Sequence, residues 1–435
     1  MPWITVPAVW SDGKRRVAIG AGALAVLAGV GIGAYLLGDA LNGEPKQASA
    51  PPPAPRIVVH TKRPQPKAAQ GLGFPEFATK NTTRVSGADP VADAAAVALA
   101  VFPSTGGVAG PDAVSLVDDK DWQSGIAAAS LAGPPISAPV LISMHDGVPG
   151  LTADALKALG PGGSATTHGA QLFRIGETDT PAGLETQRVT GNSPAAIAAA
   201  VDALRQKLTG TTPKDVLLVS SVQSRYAMPA ASWAARSGEP VLFTGKDSVP
   251  KPTMDALKRD EGADVFALGP SSAISDKALQ QVEEVAKAPT RIGDSDPVQN
   301  AIDFARYDAG TFGWNITDPG HGLVIASDAD PLDAAAASPL SASGNWGPLL
   351  VTDDPRHVPD ALRGYLLDIK PGYITDPTRA VYNHIWIIGD EGTISVGFQA
   401  QVDDLAEVAP VRSGTGTSVK PPPSGPGKKK GGGKK

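Results

Sequence analysis

The 435-residue chain contains no cysteine. A disulfide-stapled fold is therefore excluded, and an exported chain of this kind must draw its stability from packing alone. Histidine is scarce: His60, His145, His168, His321, His357 and His384 show no metal-ligand spacing. Serines are plentiful, but none sits in a nucleophile elbow. Gly160-Pro161-Gly162-Gly163 lacks the strand–turn–helix setting of a dinucleotide fingerprint and reads as a loop. No catalytic residue, metal or cofactor is expected from these residues. What the chain does have is 42% hydrophobic residues, with heavy use of alanine and glycine. That is enough for real cores over a length that permits about two to four domains.

One long apolar run stands out. Val17 to Leu37 carries no charge over 21 residues, about 31 Å as a helix at ~1.5 Å per residue, which matches a bilayer's hydrocarbon thickness. Lys14, Arg15 and Arg16 precede it, while Asp39 and Glu44 follow. The positive-inside bias then leaves residues 1–16 in the cytoplasm, 17–38 as a single-pass anchor and the rest outside. A cleaved signal peptide is the rival, although the run exceeds the usual ~7–15 residues of such a segment. Residues 39–80, with Pro51-Pro52-Pro53, Pro55, Pro64, Pro66 and Pro75, read as a polyproline-type linker. Largely extended, it would reach on the order of 100 Å. At the other end, residues 412–435 carry Lys428, Lys429, Lys430, Lys434 and Lys435 among glycines. This is a basic arm for anionic phosphates or headgroups, or only a solubilising tail.

Between these ends the chain repeats itself. Pro139-Val140-Leu141-Ile142-Ser143, Pro240-Val241-Leu242-Phe243-Thr244 and Pro348-Leu349-Leu350-Val351-Thr352 are three versions of one apolar strand. Each is expected to be central in its sheet and buried on both faces. Upstream stand Arg84-Val85-Ser86-Gly87, Arg188-Val189-Thr190-Gly191 and Arg291-Ile292-Gly293-Asp294, their arginines 104 and 103 residues apart. Downstream stand Phe173-Arg174-Ile175-Gly176, Phe266-Ala267-Leu268-Gly269 and Trp386-Ile387-Ile388-Gly389. The period divides the body into units 81–187, 188–290 and 291–411. Within each, β-branched strands alternate with helices that open on proline or a capping serine. This predicts right-handed crossovers and an α/β fold of three modules with mostly parallel sheets. Unit one has only 12 residues between Gly176 and Arg188, against 22 between Gly269 and Arg291. Its last helix is expected to be missing or reduced to a turn.

At these residues the chain resembles the cell-wall-binding repeat 2 family. The matching features are the Arg-Val/Ile-x-Gly opening, the helix from Asp333 to Leu340, the Pro-Val-Leu-Ile-like strand, and the Ile-x-Gly and Ile-Ser endings of units two and three. The resemblance covers Thr83 to about Val408. It implies three tandem flavodoxin-like or Rossmann-like modules in a pseudo-threefold arrangement on a bacterial surface, binding secondary wall polymers non-covalently.

Charge qualifies that expectation. From Asn81 to Arg412 there are 23 basic and 40 acidic residues, about −17 in all, a poor bulk attractor for an anionic polymer. Contact would have to be local, bridged by divalent cations, or directed at neutral sugars. Candidate contacts lie beyond the strand C-termini, where α/β sheets bind ligands: Asp118, Asp119, Ser220, Arg225, Asp328 and Asp330, with Asp121 and Asp333 nearby. Helix capping is the plainer role for these acids. Arg84, Arg188 and Arg291 either staple neighbouring modules or grip polymer anions. The reading is a membrane-anchored wall binder without enzymatic activity or nucleic-acid partner. A wall-hydrolase accessory and a small-solute receptor are the alternatives.

Overall fold

A computed structural model describes residues 77–85, 87–103, 110–293, 295–343 and 347–411. The expected anchor at 17–38, the linker and the basic tail with Lys428 to Lys435 lie outside the described residues. Among the described residues no helix is long and apolar enough to cross a membrane.

The elements follow the expected rhythm. β1 (Phe77–Ala78) and β2 (Thr82–Val85) open the body. Then come α1 (Pro90–Val101), β3 (Val114–Asp118), α2 (Trp122–Ala132), β4 (Val140–Ser143), α3 (Gly150–Leu159), β5 (Leu172–Ile175) and β6 (Thr186–Val189). The second set is α4 (Pro194–Thr209), β7 (Asp215–Ser220), α5 (Ser224–Ser237), β8 (Val241–Thr244), α6 (Lys251–Arg259), β9 (Asp264–Leu268), α7 (Asp276–Glu283) and β10 (Thr290–Ile292). The third is α8 (Pro297–Arg306), β11 (Gly322–Ser327), α9 (Leu332–Ala342), β12 (Leu349–Thr352), α10 (Asp360–Asp368), β13 (Gly372–Tyr373), β14 (His384–Ile388), α11 (Val396–Ala406) and β15 (Ala409–Pro410). Local chemistry fixes the starts. Asp89, Ser193 and Asp296 each accept a backbone N–H two residues into the helix that follows, and Pro90, Pro194 and Pro297 take the first helical position. One helix departs from expectation: α5 begins at Ser224 and carries Pro229 inside it, five residues after its start.

Three parallel sheets result, ordered β4-β3-β5-β6, β8-β7-β9-β10 and β12-β11-β14-β2, with β1 added antiparallel to the third. Two points differ from the sequence reading. The Pro139, Pro240 and Pro348 strands match one another, but they are edge strands; the interior pairs are β3 with β5, β7 with β9 and β11 with β14. Their sequences look central because a helix of the preceding module covers each edge: α9 packs on β4, α2 on β8 and α5 on β12. The exposed-edge problem is solved by a neighbour. At β12 the Leu349 N–H, unpaired at the edge, donates to the Ser232 hydroxyl of α5 at 3.1 Å. At β4 and β8 the carbonyls of Ile142 and Phe243 accept from Thr152 and Thr253 at 2.5 and 2.6 Å.

The second difference is that repeat and sheet are out of step by one strand. The Arg188 strand β6 completes the sheet of β3, β4 and β5, and the Arg291 strand β10 completes that of β7, β8 and β9. The Arg84 strand β2, at the start of the body, pairs with β14 near its end, Thr82 to Val85 against Ile385 to Ile388. The body is thus a closed circuit. One buried apolar cluster runs through all three modules. At its centre α2, α5 and α9 pack against one another, and Ala132, Ala235 and Ala342 meet near their C-termini. Alanine is what lets three helices approach so closely; α2 from Ser124 onward and the whole of α9 are buried on every face, so neither shows the two-sided pattern of a surface helix.

Arg84 holds the closure. It is 1% exposed and donates to Gln399 Oε1 at 3.0 Å and to the carbonyls of Gly389 and Asp390 at 2.8 and 2.9 Å. Arg84→Ala would strand these acceptors in the interior and leave a cavity. It is expected to cost at least about 3 kcal/mol, read as a lowered urea midpoint. An unchanged midpoint would show that the closing strand is held by pairing alone.

Candidate functional site

The repeat places three arginines at one position, yet the structure gives them three environments. Arg84 is fully engaged across the closure. Arg291 is partly exposed and donates to the Gly269 carbonyl at 2.9 Å and to Asp276, first residue of α7, at 2.9 Å. Arg188 is exposed, and among the described residues its guanidinium makes no hydrogen bond or ion pair. The cause is local. Residues 176–185 hold turns where the other two units have α7 and α11, as the short Gly176–Arg188 spacing predicted. Stapling therefore describes Arg84 and Arg291 and fails at Arg188. Beside Arg188 lies a residue the sequence reading passed over. Arg174 of β5 pairs in register with Arg188. The signal was in the quoted repeats, where Ala267 and Ile387 occupy that place.

The strand-end residues fall into one ring position and several roles. The N–H groups of Asp119, Ser221 and Asp328 donate to the carbonyls of Ser143, Thr244 and Thr352, the last residues of β4, β8 and β12, at 2.8–2.9 Å. Asp121 caps α2 by accepting from Ser124, and Ser220 accepts from Val222 and Gln223 in the turn before α5. Capping thus claims Asp121 and Ser220. Arg225 on α5 lies 3.4 Å from Asp328 and ties the second module to the third. At the matching junction of the first and second modules, Gln123 of α2 donates to the Ser221 carbonyl at 3.0 Å. Burial raises the Asp118 carboxyl above its ordinary value, and its Oδ2 has no hydrogen-bond partner among the described residues. No group of three or more histidines or acids among the described residues is arranged to hold a metal ion.

The third junction, where the circuit closes, is built differently. α1 packs on α9 there, bringing Asp93, Asp333, Asp89 and Asp330 together. Asp93 and Asp333 are 2% and 1% exposed, and the Oδ1 atom of each lacks a partner among the described residues. Asp93 is the fourth residue of α1; the fourth residues of α4 and α8 are Ile197 and Asn300. All three sit under the glycine of the opening motif. A methyl group on Gly87 or Gly293 would come within 2.7 Å of Asp93 Oδ1 or 1.9 Å of Asn300 Oδ1, and on Gly191 within 2.7 Å of the Ile197 nitrogen. A glycine is thus required by packing at each opening, although it stands three residues after Arg84 and Arg188 and two after Arg291. Burial first, then Asp333, pushes the Asp93 carboxyl up to about 9. Burial, then Asp330 and Asp89, holds Asp333 well above the carboxylate range. Two neutral acids thus meet where the other junctions have Ile197 near Ser124 or Asn300 against Tyr226.

With this geometry in hand, the fold can be compared with known ones. No protein-family profile matches the sequence, and no curated protein sequence matches it either. Solved structures do match. Cwp6 from Clostridium difficile superposes with a TM-score of 0.60 at 19% identity over 75% of this chain and 47% of its own. Cwp8 from the same organism gives 0.58 at 18% identity over 75% of this chain and 52% of its own. The chain shares their fold over three quarters of its length and spans about half the length of either.

The carboxyl pair makes stability depend on pH. Unfolded, Asp93 releases its proton near its ordinary 3.8; folded, it holds it to about 9. Its contribution is complete below the lower value and is lost as pH climbs toward the upper one. Asp93→Asn, the side chain that α8 carries at this position, is expected to raise the melting temperature at pH 8, by about 2–4 °C per kcal/mol relieved. It should also flatten the fall between pH 5 and 9. A lower melting temperature with an unchanged slope would refute a buried neutral acid here.

Proposed function

We propose that this protein is a wall-associated surface protein of a Gram-positive bacterium. On this reading its three α/β modules bind a secondary wall polymer non-covalently and perform no chemistry of their own. The observation that carries the proposal is the conjunction of the triplicated unit with a backbone shared with the Clostridium difficile cell wall proteins Cwp6 and Cwp8. The repeat chemistry agrees with the cell-wall-binding repeat 2 type. Three matching modules closed into one body suit a repetitive polymer, because contacts linked in one rigid frame add avidity without new chemistry. In this proposal the run at 17–38 anchors the protein in the cell membrane, and the proline-rich segment at 39–80 carries the body to the wall.

Of the residues advanced as polymer contacts, Arg84, Ser220 and Asp328 are buried, Arg291 is occupied by Gly269 and Asp276 of the preceding repeat, and Arg225 is paired with Asp328. Arg188 is exposed, and Asp118, Asp119 and Asp330 are partly so.

The detergent-solubilised full-length chain should sediment with purified Gram-positive walls and lose most of that binding when the walls are stripped of their secondary polymer. It should release no soluble fragments from peptidoglycan. Failure to sediment with either preparation refutes wall association; released muropeptides would make the protein an enzyme.

A further inference from the structure

The loss of one helix from repeat 1 has a consequence for the sheet beneath it. In the second sheet the guanidinium of Arg291, which opens repeat 3, reaches past the end of β9, bonding the Gly269 carbonyl and the Asp276 carboxylate of α7 in repeat 2. Arg84 does the equivalent with the Gly389 carbonyl and Gln399 of α11. Repeat 1 keeps the frame of this arrangement. Gly176 ends β5 with φ +73° and donates its N–H to the Val189 carbonyl at 2.8 Å, as Gly269 donates to Ile292 at 2.8 Å. Arg188 stands where Arg291 stands, but the carboxylate that would meet it is gone with the helix.

The strand register supplies a second, independent observation. Arg174 and Arg188 are direct partners on neighbouring parallel strands, so their side chains leave the same face, roughly 4.8 Å apart at the backbone. Like charges side by side on a sheet repel. Glu177 answers Arg174 at 3.0 Å, and the Thr178 carbonyl takes its Nε–H. Nothing among the described residues answers Arg188. In the other two sheets the residue beside the arginine is Ala267 or Ile387, so the doubled guanidinium belongs to repeat 1 alone.

We propose that Arg188, flanked by Arg174, binds an anionic group of the wall polymer in the place that Asp276 fills in repeat 2. This rests on the wall-binding reading and names the contact within it. The ligand class is a two-oxygen anion, a phosphodiester or a sugar carboxylate, either of which a guanidinium fork meets with two parallel hydrogen bonds. Repeat 2 shows the occupied form, its own carboxylate standing in for the polymer's.

The test uses the full-length chain at physiological salt with three defined probes: poly(glycerol phosphate), polygalacturonate and neutral dextran. The wild-type chain is expected to bind at least one anionic probe and to ignore dextran. Arg188→Gln is expected to weaken that binding about tenfold with no change in melting temperature. Arg291→Gln, measured below its melting temperature, is expected to lower stability and keep the affinity. The anionic probe whose binding falls with Arg188→Gln identifies phosphate or carboxylate as the partner. Equal binding by Arg188→Gln and wild type, dextran bound as tightly as the anions, or no binding to either anion would each overturn the proposal. A parallel sedimentation with whole walls separates the two levels. Wild type and Arg188→Gln sedimenting alike refutes this contact alone, whereas a wild-type chain left in the supernatant refutes wall association itself.

Discussion

The pairing of β2 with β14 is the constraint on which the body depends. Each module of this chain borrows the strand that completes its sheet from the next repeat in sequence, β6 for the first and β10 for the second. The third has no following repeat and must take β2 from the beginning. Arg84 and Gln399 hydrogen-bond across 315 residues of sequence. Asn81 likewise donates to Asp403 of α11 at 2.8 Å. Contacts of such sequence separation form late, because the loop entropy must be overcome before they return anything. The closure therefore turns three modules, each with a helix covering its neighbour's edge strand, into one cooperative unit. It also makes β2 the strand whose loss opens the circuit.

Within that circuit the three junctions share a geometry and differ in chemistry. A helix start from one module meets a helix start from the previous one beneath the motif glycine, and the side chains there are Ile197 with Ser124, Asn300 with Tyr226, or Asp93 with Asp333. Apolar, hydrogen-bonded and carboxylic versions fit the same space. The third is the least stable of these where carboxylates ionise, since both groups are desolvated and no lysine or arginine forms an ion pair with either among the described residues. The variation falls at the closing junction, where the chain must bring its two ends together.

Much of this was legible in the residues. The strand–helix alternation, the triplication and the missing helix after Gly176 all follow from spacing. The capping pairs Asp89-Pro90, Ser193-Pro194 and Asp296-Pro297 mark helix starts by local chemistry alone. What could not be read was which strands share a sheet. Pro139, Pro240 and Pro348 open strands that look central because burial, not hydrogen-bond order, selects their composition, and the burying helix comes from another module. The arginines illustrate the same limit: similar motifs at 84, 188 and 291 end buried, open and half-engaged, because the partner is set by a helix more than ten residues away or by the far end of the body. The heavy use of alanine has a packing role where Ala132, Ala235 and Ala342 meet.

A body of about −17 is by net charge badly suited to an anionic polymer, but net charge is the wrong measure of a local contact. At physiological salt, charges are screened beyond about 8 Å. A ligand at one sheet edge therefore feels the groups around it and little of the total. Several of the acids in that sum serve structure: Asp89, Asp121 and Asp296 cap helices, Asp202 and Asp264 pair with Arg259 and Lys287, and Asp93 and Asp333 are held neutral. Arg188 and Arg174 stand together on one face, with Glu177 paired to Arg174. The local field there is set by two guanidinium groups and one carboxylate, so an anion can be attracted to a protein that repels it at a distance.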